Sequence, residues 1–323
     1  MARRRRRPRW LGAALVLVLV LVWSFAGEHI RRWLALPGDG AAPGKAAGRL
    51  RVATWNLRNF PDEGQDLTRL AARLPELAAD VIAVQEIHDA ARLKQLMPGW
   101  ELALSETGGR GGQKLGFLYD PAQFELVGAL REHKQLAMGG SVRPGLSGYL
   151  RVRDGGPDFH VLVVHLKARD EGYALRRSQW EVLAEIVQEI ARDDGDVIIL
   201  GDFNATGPGQ GGPDAELKAL DARLGAVGLQ RVVNSSGCSV YWDGARRDAW
   251  HEPSQLDLVY VAGLLEAEVA KAHAEPLLHC ARHACRPFRS TPTYPERDYA
   301  DLSDHCPVIV DFERGFDDDP GDR

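Results

Sequence analysis

Residues 159–204 read "FHVLVVHLKARDEGYALRRSQWEVLAEIVQEIARDDGDVIILGDFN", and this stretch decides the fold class. The apolar run from Phe159 to Leu166, rich in valine and carrying His165 near its end, is the pattern of a buried strand. From Tyr173 to Asp194 the apolar positions Leu183, Ile186, Val187 and Ile190 recur at helical spacing and predict an amphipathic helix. A second apolar run, Val197–Leu200, then leads into Gly201, Asp202 and Asn204. Strand, helix and strand in that order is the unit of an α/β sheet.

The same alternation appears upstream. "LRVATWN" (50–56) is strand-like and ends on a polar residue, "DLTRLAARLPELAAD" (66–80) has helical spacing, and "VIAVQE" (81–86) is a second buried strand that ends on an acid. "GFLYD", "FELVGAL" and "GYLRVR" read as hairpin strands in the middle of the chain, with "ETGGRGGQK" as a glycine-rich loop, and "LDLVYVAG" and "HCPVIVDF" supply late strands. Alternating strands and helices together with hairpins predict an α/β fold in which sheets pack face to face with helices outside.

The chain has 323 residues and is 45% hydrophobic, enough for one large globular domain or two small ones. Eight of its 40 Lys and Arg lie in the first 34 positions with one acid, Glu28; the remainder holds 32 basic against 44 acidic residues, a net of −12. Such a body does not grip nucleic acid by overall charge, so polyanion binding would need a local site or a metal. The start "MARRRRRPRWLGAALVLVLVLVWSFAG" places arginines before a 17-residue uncharged stretch, Leu11–Gly27, which reads as an export signal. It is either an uncleaved anchor or a cleaved signal peptide. These features divide the chain into a basic cytoplasmic segment (1–10), the signal anchor or signal peptide (11–27), a Gly/Ala/Pro-rich linker (28–48), a globular domain (49–313) and an acidic tail (314–323). The expected location is the cell membrane with the domain on the extracytoplasmic side, or secreted or periplasmic if the signal is removed. The expected state is a monomer.

All four cysteines, Cys238, Cys280, Cys285 and Cys306, fall in the exported part, which permits two disulfides. Cys280 and Cys285 enclose the short loop "CARHAC" and are the first pair expected, leaving Cys238 with Cys306; a metal site from Cys280, His283 and Cys285 is the competing reading.

Polar residues collect where the predicted strands end. They are Asn56, Glu86, His165, Asp202, Asn204, Asp257, Asp304 and His305: four carboxylates, two amides and two imidazoles. Singly, each is an ordinary turn former or strand terminus. Jointly they describe a rim at which open α/β folds place ligands. Glu86 and Asp304 offer hard oxygens suited to Mg²⁺ or Mn²⁺, and Asn56 suits either that ion or a substrate oxygen. Asp202 can deprotonate a water, Asn204 can donate to a phosphate, and His165 and His305 can donate to the oxygens on which charge grows. A carboxylate beside His305 would keep it cationic. The chemistry this set describes is phosphate-ester hydrolysis. The other histidines, His88, His133, His160, His251, His273, His279 and His283, read as surface or loop residues.

At these residues the sequence resembles the endonuclease/exonuclease/phosphatase family, which includes pancreatic-type deoxyribonuclease, apurinic-site endonucleases, inositol polyphosphate 5-phosphatases and bacterial sphingomyelinases. "TWNLRN", "VQEI", "VVHLKA", "LGDFNA", "LDLVYV" and "LSDHCPV" occur in the family's order between Leu50 and Phe312. The resemblance implies a four-layer α/β sandwich and Mg²⁺-dependent hydrolysis. It also implies Glu86 as principal metal ligand with Asn56 and Asp304 near the metal, His165 and Asn204 on the phosphate, Asp202 as base, and His305 paired with Asp257. Arg58 stands where apurinic-site enzymes carry an acid, which argues against that assignment.

Export with an acidic body suits a nuclease acting on external DNA or RNA. Arg110, Arg143 and Lys167, with Arg169, are candidate contacts to a nucleic-acid backbone, or solvated loop charges. The alternative substrate is a phospholipid, in the manner of sphingomyelinases, or an inositol phosphate. Tyr241, Trp242 and Trp250 in "SVYWDGARRDAWHEP" are the aromatic residues a lipid-directed enzyme needs. A non-catalytic binding protein would need a broken constellation, and none of the polar positions is missing.

Overall fold

A computed structural model of the chain describes residues 40–153, 155–207, 212–244, 247–263 and 272–313. The basic segment, the stretch expected to act as an export signal, the first part of the linker and the acidic tail lie outside the described residues, and among the described residues no helix is long and apolar enough to cross a membrane.

The strands are β1 (Arg49–Phe60), β2 (Val81–Ile87), β3 (Glu101–Leu104), β4 (Lys114–Tyr119), β5 (Phe124–His133), β6 (Gly145–Val152), β7 (Asp158–His165), β8 (Val197–Asp202), β9 (Gln230–Arg231), β10 (Val240–Asp243), β11 (Trp250–Ser254), β12 (Asp257–Ala262), β13 (Glu275–Pro276), β14 (Phe288–Arg289) and β15 (Val308–Glu313). The helices are α1 (Leu67–Glu76), α2 (Ala90–Leu96), α3 (Tyr173–Ile190), α4 (Gly212–Gly225), α5 (Leu278–Arg282) and α6 (Arg297–Asp301). One six-stranded sheet has the order β13-β15-β1-β2-β4-β3 and the other β5-β6-β7-β8-β12-β9. A three-stranded sheet, β10-β11-β14, stands at the side.

Both large sheets are mixed. β1 and β2 are parallel, as are β7 and β8, because each pair is joined by a segment containing a helix. The apolar faces of the two sheets meet in one core that includes Val52, Phe117, Leu150, Val163, Leu200 and Val310. Outside the second sheet, Trp180, Leu183, Ile186, Val187 and Ile190 of α3 and Leu217, Leu220 and Leu224 of α4 form a second core. Outside the first, Leu70 and Leu74 of α1 and Leu93 of α2 form a third with Trp55, Ile82 and Ile309. The result is the four-layer sandwich, with helix, sheet, sheet and helix in succession. The stripe read from the α3 sequence is the face that is buried.

Two expectations are corrected. The disulfides are Cys238–Cys285 and Cys280–Cys306, with Cα–Cα distances of 5.5 and 6.1 Å. Residues 278–285 form a helical turn closed by backbone bonds, Cys285 N–H to Cys280 C=O among them. The two cysteines of "CARHAC" therefore serve different neighbours: Cys280 anchors the residue after His305, and Cys285 anchors the residue before Ser239. No metal site forms from Cys280, His283 and Cys285, because both sulfurs are bonded elsewhere.

The second correction concerns histidines. His133, His251 and His279 are interior, not surface, residues. His279 and His251 pack with Tyr241, Phe288 and Tyr299 at ring separations of 4.4–6.3 Å. His133 lies 2.8 Å from Ser147 Oγ, and burial, with nearby Arg131, lowers its pKa to about 4. A histidine whose folded-state pKa is depressed contributes stability above its unfolded value near 6.5, and that stability is lost as pH falls towards 4. Denaturant unfolding of wild type and His133→Gln at neutral and acid pH checks this. The loss of stability on going from about pH 7 to about pH 4 should be smaller in the variant by roughly 3 kcal/mol.

Candidate active site

The register of the second sheet sets three polar residues in a row. Asp202 at the end of β8 is the direct partner of His165 in β7 and, on its other side, of Asp257 at the start of β12. β7 and β8 arrive at this rim by their carboxyl ends, and antiparallel β12 leaves from it. The close approach of β7 and β8 requires glycine before the acid: Gly201 has φ 142°, and a Cβ there would stand 2.0 Å from Val164 O.

The first sheet meets this row from across the core. The β1–β2 ladder shifts register between Asn56 and Phe60, and the β2–β4 ladder between Val84 and Ile87. Arg58, Asn59 and Glu86 all lie at positive φ, 47°, 51° and 64°. Such strain in non-glycine residues persists where the surroundings impose it. Here it turns backbone amides and one carboxylate towards the rim: Asn59 N–H donates to Glu86 Oε2 at 2.8 Å, and Arg58 N–H to Asn56 Oδ1 at 3.0 Å. Asn56 Nδ2 then spans the two sheets, donating to Glu86 Oε1 at 3.3 Å and to Asp202 Oδ2 at 3.2 Å. In this arrangement Asn56 orients two carboxylates and offers its oxygen to the chain itself.

His305 enters from the loop before β15. Its Nδ1 lies 2.8 Å from Asp257 Oδ2 and its Nε2 3.9 Å from Asp202 Oδ2. The loop is fastened at several points: Trp55 Nε1 donates to His305 C=O, Ser303 Oγ donates to Asn56 C=O, and His305 N–H donates to Ser303 Oγ. Asp304 stands at the same rim with Ser303 Oγ 3.4 Å from its carboxylate. Asp257 is itself held by Ser239 Oγ at 2.7 Å. Asn204, at φ 51°, donates its backbone N–H to Asp202 Oδ1 and its side-chain amide to Leu166 C=O, which fixes the turn after β8.

Electrostatics divide these groups by role. Burial works against a charged His305, yet Asp257, then Asp202 and Asp304, hold its pKa well above the ordinary value. It is therefore an imidazolium with its orientation set by Asp257. Burial, with Arg143 and His305 adding, drives His165 the other way, well below its ordinary value, so it is neutral. Burial pushes the Asp202 carboxyl up to about 7, against the pull of His305 and with Asp257 and Glu86 adding to the rise. A carboxyl poised there is a proton acceptor matched to neutral pH.

Arg143 supplies the second cation. Its Nη2 lies 3.0 Å from His165 Nε2 and donates to Gln113 Oε1 at 2.7 Å, and Gln113 donates to Asn59 Oδ1 at 2.6 Å. Burial lowers the Arg143 pKa while Glu86 and Asp202 raise it, and the guanidinium remains charged. Of the sequence-named residues, Asn56, Glu86, Arg143, His165, Asp202, Asp257 and His305 converge, with Asn204 and Asp304 adjoining. Arg110 lines a separate groove beside them, and the stem of Lys167 lies against Gly172. Gln113 and Ser239 were not named from sequence; a glutamine in a glycine-rich loop and a serine beside a cysteine carry no pattern of their own.

Beneath the rim, Arg176 of α3 and Glu216 of α4 form a fully buried ion pair at 2.6 Å. Arg176 also donates to Lys167 C=O, Arg169 C=O and Thr206 Oγ1, and Glu216 accepts from Gly207 N–H. This pair binds the loop after His165 to the loop after Asp202. Arg58 reaches Tyr299 C=O and Ala300 C=O and pairs with Asp62 at 3.1 Å. It is a support for α6, so the residue that departs from the apurinic-site pattern serves the scaffold.

Glu86 presents a carboxylate partly open at the rim, a hard oxygen ligand of the kind that fits a divalent cation of the Mg²⁺ class. Among the described residues, one compact trio of metal-ligating side chains occurs elsewhere, His279, Cys280 and Cys306. Its sulfurs are joined in a disulfide, so it offers no thiolate.

Comparison with known proteins bears on the assignment. None of the curated proteins matches the sequence. Among solved structures, the human Nocturnin catalytic domain with bound sulfate aligns over 84% of this chain and 96% of its own, with 17% identity and a TM-score of 0.55. D. rerio TDP2 complexed with single-strand DNA product aligns over 82% and 98%, with 15% identity and a TM-score of 0.59. A mannosyl-6-phosphatase from Bacteroides thetaiotaomicron aligns over 81% and 99%, with 20% identity and a TM-score of 0.56. At these identities the likeness is one of fold. The family model described as "Endonuclease/Exonuclease/phosphatase family" matches residues 53–305, a span that contains every residue of the rim. The chain thus belongs to the endonuclease/exonuclease/phosphatase family of phosphoric ester hydrolases, whose enzymes generally depend on a divalent metal.

Proposed function

We propose that this protein is an exported, Mg²⁺-dependent phosphodiesterase that hydrolyses nucleic acid, DNA or RNA, as a monomer. The observation that carries the reading is the placement of Asp202. It is a buried carboxyl with a pKa raised to about 7, it lies 3.2 Å from His165, and the cations His305 and Arg143 flank it. A base between two fixed cations suits attack of water on an anionic diester.

In this reading Asp202 takes a proton from the water whose oxygen bonds to phosphorus. The ester P–O bond opposite breaks, and the leaving oxygen gains a proton from solvent. Arg143 and His305 face the oxygens on which negative charge grows, and Asp257 keeps His305 charged and aimed. His165, being neutral, accepts from Arg143 at Nε2 and holds that guanidinium at the rim without adding charge. Glu86, with Asp304, would hold the cation; when bound, Mg²⁺ or Mn²⁺ supplies Lewis-acid neutralisation at the phosphoryl group.

Nucleic acid as substrate is supported by the resemblance in fold to a protein described as complexed with single-strand DNA product. The location beyond the cytoplasmic membrane is supported by the pairing of all four cysteines in two disulfides, which suits an oxidising compartment. It is also supported by the arginine-led apolar start, whether kept as an anchor or cleaved. One observation favours a second reading, a phospholipid phosphodiesterase. Trp242 and Trp250 are each 48% exposed on the β10–β11 hairpin, where aromatic side chains would suit a bilayer interface.

Two substitutions test the mechanism with Mg²⁺ and an oligonucleotide substrate. Asp202→Asn should lower kcat by roughly 10²–10⁴ with a much smaller change in KM, as expected for a lost base. Arg143→Met should lower kcat by roughly 10²–10³. Turnover in Asp202→Asn equal to wild type would remove Asp202 from the reaction, and turnover of sphingomyelin alone would assign the site to lipid.

A further inference from the structure

A groove of about 590 Å³ lies immediately beside the site and is lined by Thr107, Gly109, Arg110, Lys134, Gly140 and Val142, among others. It is separated from the reacting centre by a single stretch of backbone, Val142–Arg143. On one side of that stretch the Arg143 side chain turns to His165 and Gln113. On the other, Gly109 packs so closely that a Cβ there would stand 2.4 Å from Val142 O and 2.8 Å from Arg143 N. Gly109 has φ 66°, and Gly108 has the carbonyl carbon and oxygen of Gly112 at 2.3 and 2.5 Å from where its Cβ would be. Glycine is thus required for the loop to close against the partition.

The groove walls are fastened. Thr107 donates its N–H and its hydroxyl to the two oxygens of Glu132, at 2.9 and 3.1 Å, which ties the 105–113 loop to β5. Val142 N–H and Gly140 N–H both donate to Ala137 C=O and shape the opposite wall. The cations of the groove, Arg110 and Lys134, are not paired with a carboxylate among the described residues. Two unpaired cations in a recess make a seat for an anion, and glycine-lined walls let a chain approach the backbone closely.

We propose that this groove holds a second phosphodiester of the substrate, the one next to the bond being cleaved, with Arg110 and Lys134 as its counter-charges. This rests on the phosphodiesterase reading and deepens it, because only a substrate with repeated phosphates fills both seats. A nucleic-acid strand does so. A phospholipid with a single headgroup phosphate, such as sphingomyelin, leaves the second seat without a ligand.

The test compares a short single-stranded oligodeoxynucleotide with bis(p-nitrophenyl) phosphate, which has a single phosphate, on the full chain and on Arg110→Ala, Lys134→Ala and the double variant. The loss in kcat/KM on the oligonucleotide should exceed the loss on the small ester by at least tenfold in the double variant, and KM should carry it. The dependence of log KM on log salt should flatten as the two phosphate contacts are removed. Equal losses on both substrates, or no loss on the oligonucleotide, would overturn the groove assignment while leaving the phosphodiesterase reading standing. Weakened binding to anionic phospholipid vesicles with oligonucleotide turnover intact would overturn it in favour of lipid. Failure of wild type to hydrolyse either substrate would overturn both readings together.

Discussion

Asp202 and Asp257 are cross-strand partners at the end of a dry interface between two sheets, and both are almost fully buried. Two neighbouring carboxylates cannot both stay ionised out of water unless positive charge is placed beside them. Most of the local architecture follows from that constraint. His305 is brought in on a loop fastened by Trp55, Ser303 and the Cys280–Cys306 disulfide, and Asp257 keeps it charged. Arg143 is brought in from the opposite side and held by Gln113. Asp202 is left as the carboxyl whose charge is incompletely balanced, and burial pushes it up to about 7. Under the proposed function, a phosphate diester with a divalent cation supplies the charge pattern that such a rim lacks.

The strand ends are where the sequence was most legible. Parallel β1–β2 and β7–β8 deliver Asn56, Glu86, His165 and Asp202 at their carboxyl ends, and antiparallel β12 and β15 begin at the same rim with Asp257 and, just before the strand, His305. Alternation of apolar runs and acids displays these positions directly. The disulfides were not legible, because a helical turn over 278–285 sends two nearby cysteines to different partners, and turn geometry is invisible in spacing alone. The interior histidines were missed for a related reason: His251 and His279 are buried by an aromatic cluster assembled from segments far apart in the chain. Arg143 was legible as a cation in a loop, but its place against His165 depends on Gly109 docking onto Val142.

Support for the rim is as ordered as the rim itself. The Arg176–Glu216 pair has no exposure and joins two helices to the two loops that leave β7 and β8. Removing either partner would strand a buried charge, a cost of several kcal/mol. It would also release the loop that sets Asn204 and, through it, Asp202. Rigid placement of this kind is what the proposed mechanism asks of a base and two cations that act on one phosphate without reorganising during the reaction.

Glu86 connects this account to its most direct measurement, since it offers a partly open carboxylate at the rim on a strained backbone turned out of both ladders. Hydrolysis of an oligonucleotide by wild type and by Glu86→Gln, followed across a Mg²⁺ titration, tests the central claim. The account predicts saturable Mg²⁺ dependence in wild type, abolished by chelation, and in Glu86→Gln a rate lower by at least tenfold with half-saturation at higher Mg²⁺. Turnover that is independent of metal, or a Glu86→Gln titration that overlays wild type, would contradict it.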